Sequence, residues 1–388
     1  MAHKPFGCTI FAAVVFSITQ ILHAFVSSSI SIAQTQSRAK PGQILRIWPL
    51  EGGAPGNARA YRIRYGSTGL KGEPIVVTGA IIFPSGPMPE GGRDVIAWAH
   101  PTTGVVDRCA PTLLPGLTAT IPGLDEMLLR GYAVVATDYA GLGTPGMHPY
   151  LIGASEAKAV LDSVRAAGTL RDIGATKRFA VWGHSQGGHA ALFTGELAAT
   201  YAPDLELVGV AAAAPATYLA DLFEADQNTL AGKTLTAMTV LSWSRLFNLP
   251  LEQVIEGRAM KAFKRVANDC IETVSDFLDV TEGEKGLRRI FLKTDPTTLP
   301  SWHAIMDSNT PGQSPAGAPV FLAQGTADEV VRPAVTRKFM DRLCRSGTRV
   351  KFMPMEGVSH SFAALNSRVA AVEWMSARFE GKPAPDDC

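Results

Sequence analysis

A serine hydroxyl is a poor nucleophile at neutral pH, so it needs a base to take its proton and a third group to hold that base in the right tautomer. Ser185, Asp328 and His360 offer such a set. Ser185 stands in Gly183-His184-Ser185-Gln186-Gly187, where an apolar run breaks at glycine, presents one serine and passes into the helix-favouring stretch Ala190 to Ala198. The glycines fall where side chains would collide across a sharp strand-to-helix turn. The chemistry this supports is acyl transfer through a covalent intermediate on Ser185. That chemistry also needs donors for the developing oxyanion. The Gln186 N–H is the first candidate; Thr102 or Thr103, in the His100-Pro101-Thr102-Thr103-Gly104 loop, is the second.

Competitors exist for each partner. Asp295, Asp307 and Glu329 are alternative acids, and His100, His148, His184, His189 and His303 are alternative bases. Asp328 is preferred because it follows a strand, and His360 because it lies after the final strand. His184 and His189 are close to Ser185 in sequence, but a residue beside the nucleophile in a tight elbow points away from it, so both read as packing or rim residues.

The elements that position these residues follow from hydrophobic pattern. Ala60–Tyr65 alternates as a half-exposed strand, whereas Ile75–Phe83, Val95–Ala99, Tyr132–Thr137, Arg178–Gly183, Leu207–Ala214, Val320–Ala323 and Val350–Met355 read as strands of a covered sheet. Helices are expected over Leu124–Arg130, Ala154–Gly168, the stretch after Ser185, Pro333–Cys344 and Asn366–Phe379. Strand and helix alternating in this way predict a mostly parallel α/β sheet with helices on both faces. Ser185, Asp328 and His360 each follow a strand, so their loops share one sheet edge. Their chain order is that of an α/β-hydrolase. Between residues 215 and 315 the rhythm changes to helices only (Leu219–Ala225, Leu235–Phe247, Leu251–Ala267, Ile271–Leu278), predicting a helical cap inserted into a core of 34–214 and 316–388.

At 388 residues with 46% hydrophobic and 18% charged residues the chain can bury a large core, and a net charge of +1 gives no electrostatic case for nucleic acid. Lys4 followed by the apolar stretch Cys8 to Val26 reads as a secretory signal over residues 1–33, with Ser31-Ile32-Ala33 as cleavage site, Leu22-His23-Ala24 as an earlier option and a retained anchor as the alternative. The expected destination is outside the cell or the periplasm. Cys109, Cys270, Cys344 and Cys388 would then remain, an even number consistent with two disulfides in any of three connectivities. Their spacing matches no zinc motif, and no metal or other cofactor is expected.

Three blocks carry a closer resemblance: Trp182 to Gly188, the stretch from Gly131-Tyr132 through Asp138-Tyr139-Ala140-Gly141-Leu142-Gly143 to Pro149-Tyr150-Leu151, and Gly325 to Asp328. Together they resemble the secretory lipase family, the lipase A type of α/β-hydrolase, over about residues 42 to 380. The resemblance implies an exported serine hydrolase of acylglycerols or simpler esters, with a helical lid between nucleophile and acid. It carries over Ser185, Asp328 and His360 as the triad and favours pairing Cys109 with Cys270 and Cys344 with Cys388. The acidic residue that supports the oxyanion site in the family's yeast lipases has no counterpart in His100 to Gly104. Trp243, Leu246, Phe247, Leu249, Trp302 and Met306 of the cap are the candidates for lining an acyl pocket, with packing of the cap's own core as the alternative. The expected partner is an ester substrate, with transient lipid contact through the lid, and the expected state is a monomer. A peptide or amide hydrolase on the same triad, and a non-catalytic binding protein on the same scaffold, are the competing functions.

Overall fold

The structure is a computed structural model that describes residues 39–226, 229–271 and 291–388. The segment read as an export signal, and the helix expected at 271–278 beyond its first residue, lie outside the described residues. Nine strands form one sheet: β1 (Ile44–Pro49), β2 (Ala58–Thr68), β3 (Pro74–Pro84), β4 (Arg93–Ala99), β5 (Ala133–Thr137), β6 (Ala175–His184), β7 (Glu206–Ala213), β8 (Val320–Gly325) and β9 (Val350–Met355). Their spatial order is β1-β2-β3-β5-β4-β6-β7-β8-β9. The pairs up to β3–β5 are antiparallel and every pair from β5–β4 onward is parallel.

The described helices are α1 (Leu124–Leu129), α2 (Gly153–Thr169), α3 (Gln186–Tyr201), α4 (Leu219–Asp226), α5 (Leu230–Phe247), α6 (Met260–Ala267), α7 (Pro300–Ser308), α8 (Pro333–Arg345) and α9 (Ala363–Phe379). Alternation along the buried strands sends side chains to two cores. On β6, Phe179 and Val181 join Val95, Ala97 and the α2 residues Val160, Leu161 and Val164, while Ala180 and Trp182 join Ile96, Trp98 and the α9 residues Ala371 and Met375. The parallel strands are therefore covered on both faces, as their continuous apolar runs require.

Three elements depart from the sequence reading. Strand β1 was not expected, because its exposed edge carries no clean alternation; pairing with β2 holds it, and Arg46 covers the Trp48 ring at 4.7 Å. The helix expected over Leu251–Ala267 is broken into two short 3-10 turns before α6, since the Ile255–Leu292 bridge and the Glu256 N–H bond to Phe291 O (2.9 Å) extend the chain there. Helix α7 was also unforeseen and opens with Pro300 in its first turn, where proline's missing N–H costs nothing.

Helices α4 to α7 lie between β7 and β8 and pack around Trp243, whose ring faces Phe223 at 5.8 Å and Trp302 at 6.4 Å. The Trp243 indole N–H donates to Tyr150 O (2.8 Å) and Ser242 Oγ donates to His148 O (2.6 Å), fastening this layer to the loop after β5. Two disulfides add covalent ties: Cys109–Cys270 joins the loop after β4 to the chain after α6, and Cys344–Cys388 joins α8 to the carboxyl-terminal tail.

The bridges close loops of very different length, 161 and 44 residues of separation, so loop-closure entropy makes Cys109–Cys270 the more stabilising by about 1 kcal/mol. Replacing both cysteines of that pair by alanine should cost about 3–5 kcal/mol in denaturant unfolding, more than the same change at Cys344–Cys388. Equal losses would show that chain entropy does not rank them.

Candidate active site

Ser185 alone separates the last residue of β6 from the first of α3 and takes φ 56° and ψ −117°, a conformation that costs a non-glycine residue of the order of 1–3 kcal/mol. The neighbouring glycines permit it. A Cβ on Gly183 would lie 2.0 Å from Gly187 O, and one on Gly187 would lie 1.8 Å from Ala99 O. The Ser185 N–H donates to Ala213 O (3.0 Å), tying the turn to β7. Although Ser185 occupies the helix N-cap position, its side chain caps nothing. Its Oγ lies instead 2.9 Å from His360 Nε2.

His360 Nδ1 lies 2.9 Å from Asp328 Oδ2. The other Asp328 oxygen accepts from the Val330 and Val331 N–H groups (2.9 and 2.8 Å), and Gln324 Nε2 donates to Oδ2 (3.0 Å). Burial alone would raise the Asp328 pKa, but His360, these amides and Gln324 outweigh it and hold the carboxyl below its ordinary range. Gln324 is itself oriented by the Thr336 hydroxyl, which donates to its Oε1 (2.6 Å). The competing acids are placed elsewhere: Asp295 caps a 3-10 turn at Thr297 N and Asp307 pairs with His303.

The competing histidines are occupied too. His184 Nε2–H donates to His360 O (3.0 Å), bracing the His360 backbone; burial, then the neighbouring His360 side chain, pushes its pKa down to about 3. His100 is lowered to about 4 by burial, despite carbonyl partners at Pro101 and Asp138, and burial also lowers His148. His189 packs with Glu156 and Asn309 beneath the elbow. Sequence reasoning missed Gln324, Thr336 and Glu156; only Gln324, a polar residue ending the apolar run Val320–Ala323, carried a signal in the sequence.

The two threonines separate in the structure. In the sheet Ala99 is the partner of Gly183, so the loop from His100 to Gly104 runs beside Ser185. Thr102 Oγ1 is bound to Tyr150 Oη (2.7 Å), whereas Thr103 Oγ1 is buried without a hydrogen-bond partner among the described residues. Thr103 O accepts the Ile271 N–H (2.9 Å), next to the Cys109–Cys270 bridge, which fixes the loop from its far side.

Ser185, His360, Thr102 and Thr103 share the wall of a largely apolar cavity of about 360 Å³. Its lining also includes Trp98, Pro111, Leu114, Pro115, Leu117, Ala119 and Pro122 of the loop after β4, Phe362, Ala364 and Leu365 near His360, Leu235 of α5 and Ile271. This corrects the expected pocket. Trp243, Trp302 and Met306 are fully buried, Leu246 and Leu249 pack against the same core, and Phe247 is 41% exposed; none of the six lines the cavity. The bulky side chains of α4 to α7 are consumed by their own core, while the proline-rich loop after β4 leaves apolar surface open toward Ser185.

Fold and site together define an α/β-hydrolase: a mostly parallel sheet with flanking helices, and a serine, a histidine and an aspartate joined at the ends of β6, β9 and β8. A family model described as "Secretory lipase" matches residues 118–387, and the chain belongs to that family. It is 25% identical to Lipase A of Arthroderma benhamiae over 85% of this chain and 73% of that protein. It is 25% identical to the secreted triacylglycerol lipase LIP2 of Malassezia globosa over 72% of this chain and 65% of that protein. A Mycobacterium tuberculosis protein at 24% identity, over 90% of this chain and 80% of its own length, carries the name "probable inactive lipase". Among solved structures, closed Candida antarctica lipase A superposes with a TM-score of 0.76 at 19% identity over 91% of this chain and 87% of its own. The rice cell wall degrading esterase LipA from Xanthomonas oryzae gives 0.70 at 19% over 89% and 100%. The chain is thus a lipase-type ester hydrolase by family, and its two disulfides fit a family of secreted proteins.

The buried histidines set a pH response. His184, His100 and His148 have folded-state pKa values below the unfolded value of about 6.5, so below that pH the unfolded chain binds more protons. Their stabilisation is complete above about pH 6.5 and is lost progressively as pH falls toward 4. The melting temperature should fall between pH 7 and pH 5, and His100→Gln should flatten that slope. An unchanged slope in the variant would remove His100 from the account.

Proposed function

We propose that the chain hydrolyses carboxylic esters through an acyl intermediate on Ser185. The observation that carries this reading is the unbroken chain Ser185 Oγ–His360 Nε2 (2.9 Å) and His360 Nδ1–Asp328 Oδ2 (2.9 Å), set in the wall of the apolar cavity. His360 takes the Ser185 proton as the oxygen attacks the carbonyl carbon and returns it to the departing alcohol; water then repeats the cycle on the acyl-enzyme. Asp328 holds the imidazole with Nδ1 protonated and stabilises the imidazolium. The oxyanion is received by the Gln186 N–H, at the positive end of α3, and by the Thr103 hydroxyl, which has no hydrogen-bond partner among the described residues.

The substrates are esters whose acyl part enters the cavity bounded by residues 111–122 and 362–365, acylglycerols included, as the names of the relatives indicate for those proteins. The protein works outside the cell or in the periplasm after removal of residues 1–33. Helices α4 to α7 act as a lid that meets a lipid surface, and a monomer suffices, since each residue assigned a role comes from this chain.

Ser185→Ala should lower p-nitrophenyl ester turnover by at least about 10⁴-fold and abolish fluorophosphonate labelling, and Asp328→Asn should cost about 10⁴-fold in kcat. Wild-type protein that neither labels nor turns over would instead place it with the relative named a probable inactive lipase.

Chain-length selectivity separates cavity from cap. Ala119→Trp, at the exposed cavity wall, should cut kcat/KM for long acyl chains at least about tenfold relative to acetate, since a blocked methylene site is worth 1–3 kcal/mol. Met306→Ala should cost about 2–5 kcal/mol of stability with the selectivity profile unmoved. The reverse pattern would return the acyl site to the cap.

A further inference from the structure

Beneath the elbow lies a polar cluster that takes no part in the steps above. Glu156 on α2 is fully buried, as are His148 and His189, and Gln186 is 1% exposed. Glu156 Oε1 accepts from Gln186 Nε2 (2.8 Å) and from the Leu151 N–H (3.1 Å), and Oε2 lies 2.8 Å from His189 Nδ1. His189 Nε2 lies 2.8 Å from Asn309 O. On the other side, His148 Nδ1 lies 2.9 Å from Ala140 O and its Nε2 lies 2.8 Å from Gln186 Nε2.

Donor and acceptor counting leaves one arrangement. A carbonyl can only accept, so His148 donates through Nδ1 to Ala140 and presents a bare Nε2. Gln186 must then donate twice through its amide nitrogen, once to His148 and once to Glu156. Turning the amide over would aim its oxygen at two acceptors. The observed orientation leaves Gln186 Oε1 buried without a partner among the described residues, and the structure accepts that cost to keep both donations. Both ring nitrogens of His189 face oxygens, Glu156 Oε2 and Asn309 O, so the ring is held at both ends. Leu151, whose N–H Glu156 also holds, stands at φ 52°, so the same carboxyl pins a strained backbone.

Gln186 and His189 both belong to the first turn of α3, and Glu156 is the single group that binds both side chains. We infer that Glu156 and His189 are positioning residues for the oxyanion site: they lock the Gln186 side chain, and through it aim the Gln186 N–H at the carbonyl oxygen of the substrate. This rests on the reading of Gln186 as an oxyanion donor. The arrangement explains why a glutamine follows the nucleophile. Its backbone acts on the substrate while its side chain is anchored on the opposite side of the turn.

The test compares Glu156→Ala, Gln186→Met and Glu156→Gln, with rates expressed per site titrated by fluorophosphonate. Glutamine at position 156 can accept from Gln186 and Leu151 and donate to a neutral His189, so Glu156→Gln should stay within about threefold of wild type. Glu156→Ala and Gln186→Met should each lose about 10–100-fold in kcat, a fraction of what deleting a whole oxyanion donor costs, with KM within twofold. Combining them should cost no more than either alone. The decisive readout is the preference for an ester over its thionoester, in which sulfur replaces the carbonyl oxygen and accepts hydrogen bonds poorly. That preference should shrink in both variants. Gln186→Met, close to glutamine in volume, keeps the test open if Glu156→Ala fails to fold. A preference unchanged in folded Gln186→Met overturns the inference while leaving the ester hydrolase intact, whereas wild-type protein that fails to label or turn over overturns the functional reading itself.

Discussion

The structure depends on one close approach. The backbone of Gly187 packs so tightly on Ala99 O and His100 O that a methyl group has no room, and Gly183 packs as tightly on Gly187 O. This contact lets β6 end and α3 begin within a single residue, and it forces Ser185 into a strained conformation that no helix or strand would supply. It also brings the loop after β4 against the start of α3, so one contact sets the position of Ser185 and of both candidate oxyanion donors.

Around that contact the molecule buries several carboxyls and surrounds each with hydrogen-bond partners. Asp328 collects two backbone amides, a glutamine and a histidine; Glu156 collects a glutamine, a backbone amide and a histidine. Asp138, close to the same sheet edge, accepts from Thr78 Oγ1 (2.6 Å) and from Thr112 through N–H (2.9 Å) and hydroxyl (2.5 Å); burial still raises its pKa. A buried carboxyl left without such partners would cost several kcal/mol. These carboxyls are held in place by their partners, while prolines of residues 111–122 line the apolar cavity beside them.

The layer of helices between β7 and β8 follows a different rule. Its tryptophans and methionines form a core of their own, and among its described residues only Leu235 and Ile271 reach the cavity wall. A sequence pattern rich in large apolar residues above an active site is equally compatible with lining a pocket and with holding a cap together. Packing density decides between them, because a tryptophan that donates its N–H to Tyr150 O and faces two aromatic rings has no surface left for a ligand.

Much of the fold was legible in the chain. Continuous apolar runs such as Val95–Ala99 and Val320–Ala323 announce strands covered on both faces, and glycines around Ser185 announce a turn that side chains could not enter, because both signals are local and depend on periodicity and steric bulk. Strand β1 was hidden because an edge strand lacks a buried face to pattern it. Tertiary structure alone decided which threonine hydroxyl is unclaimed among the described residues, since Thr102 is bound by Tyr150 from 48 residues away, and which side chains make the cavity. It alone disclosed that Gln186 is gripped by Glu156 and His148. Those are facts about hydrogen-bond partners brought together from distant segments, and a buried polar residue carries no mark in the sequence of which partner it will meet.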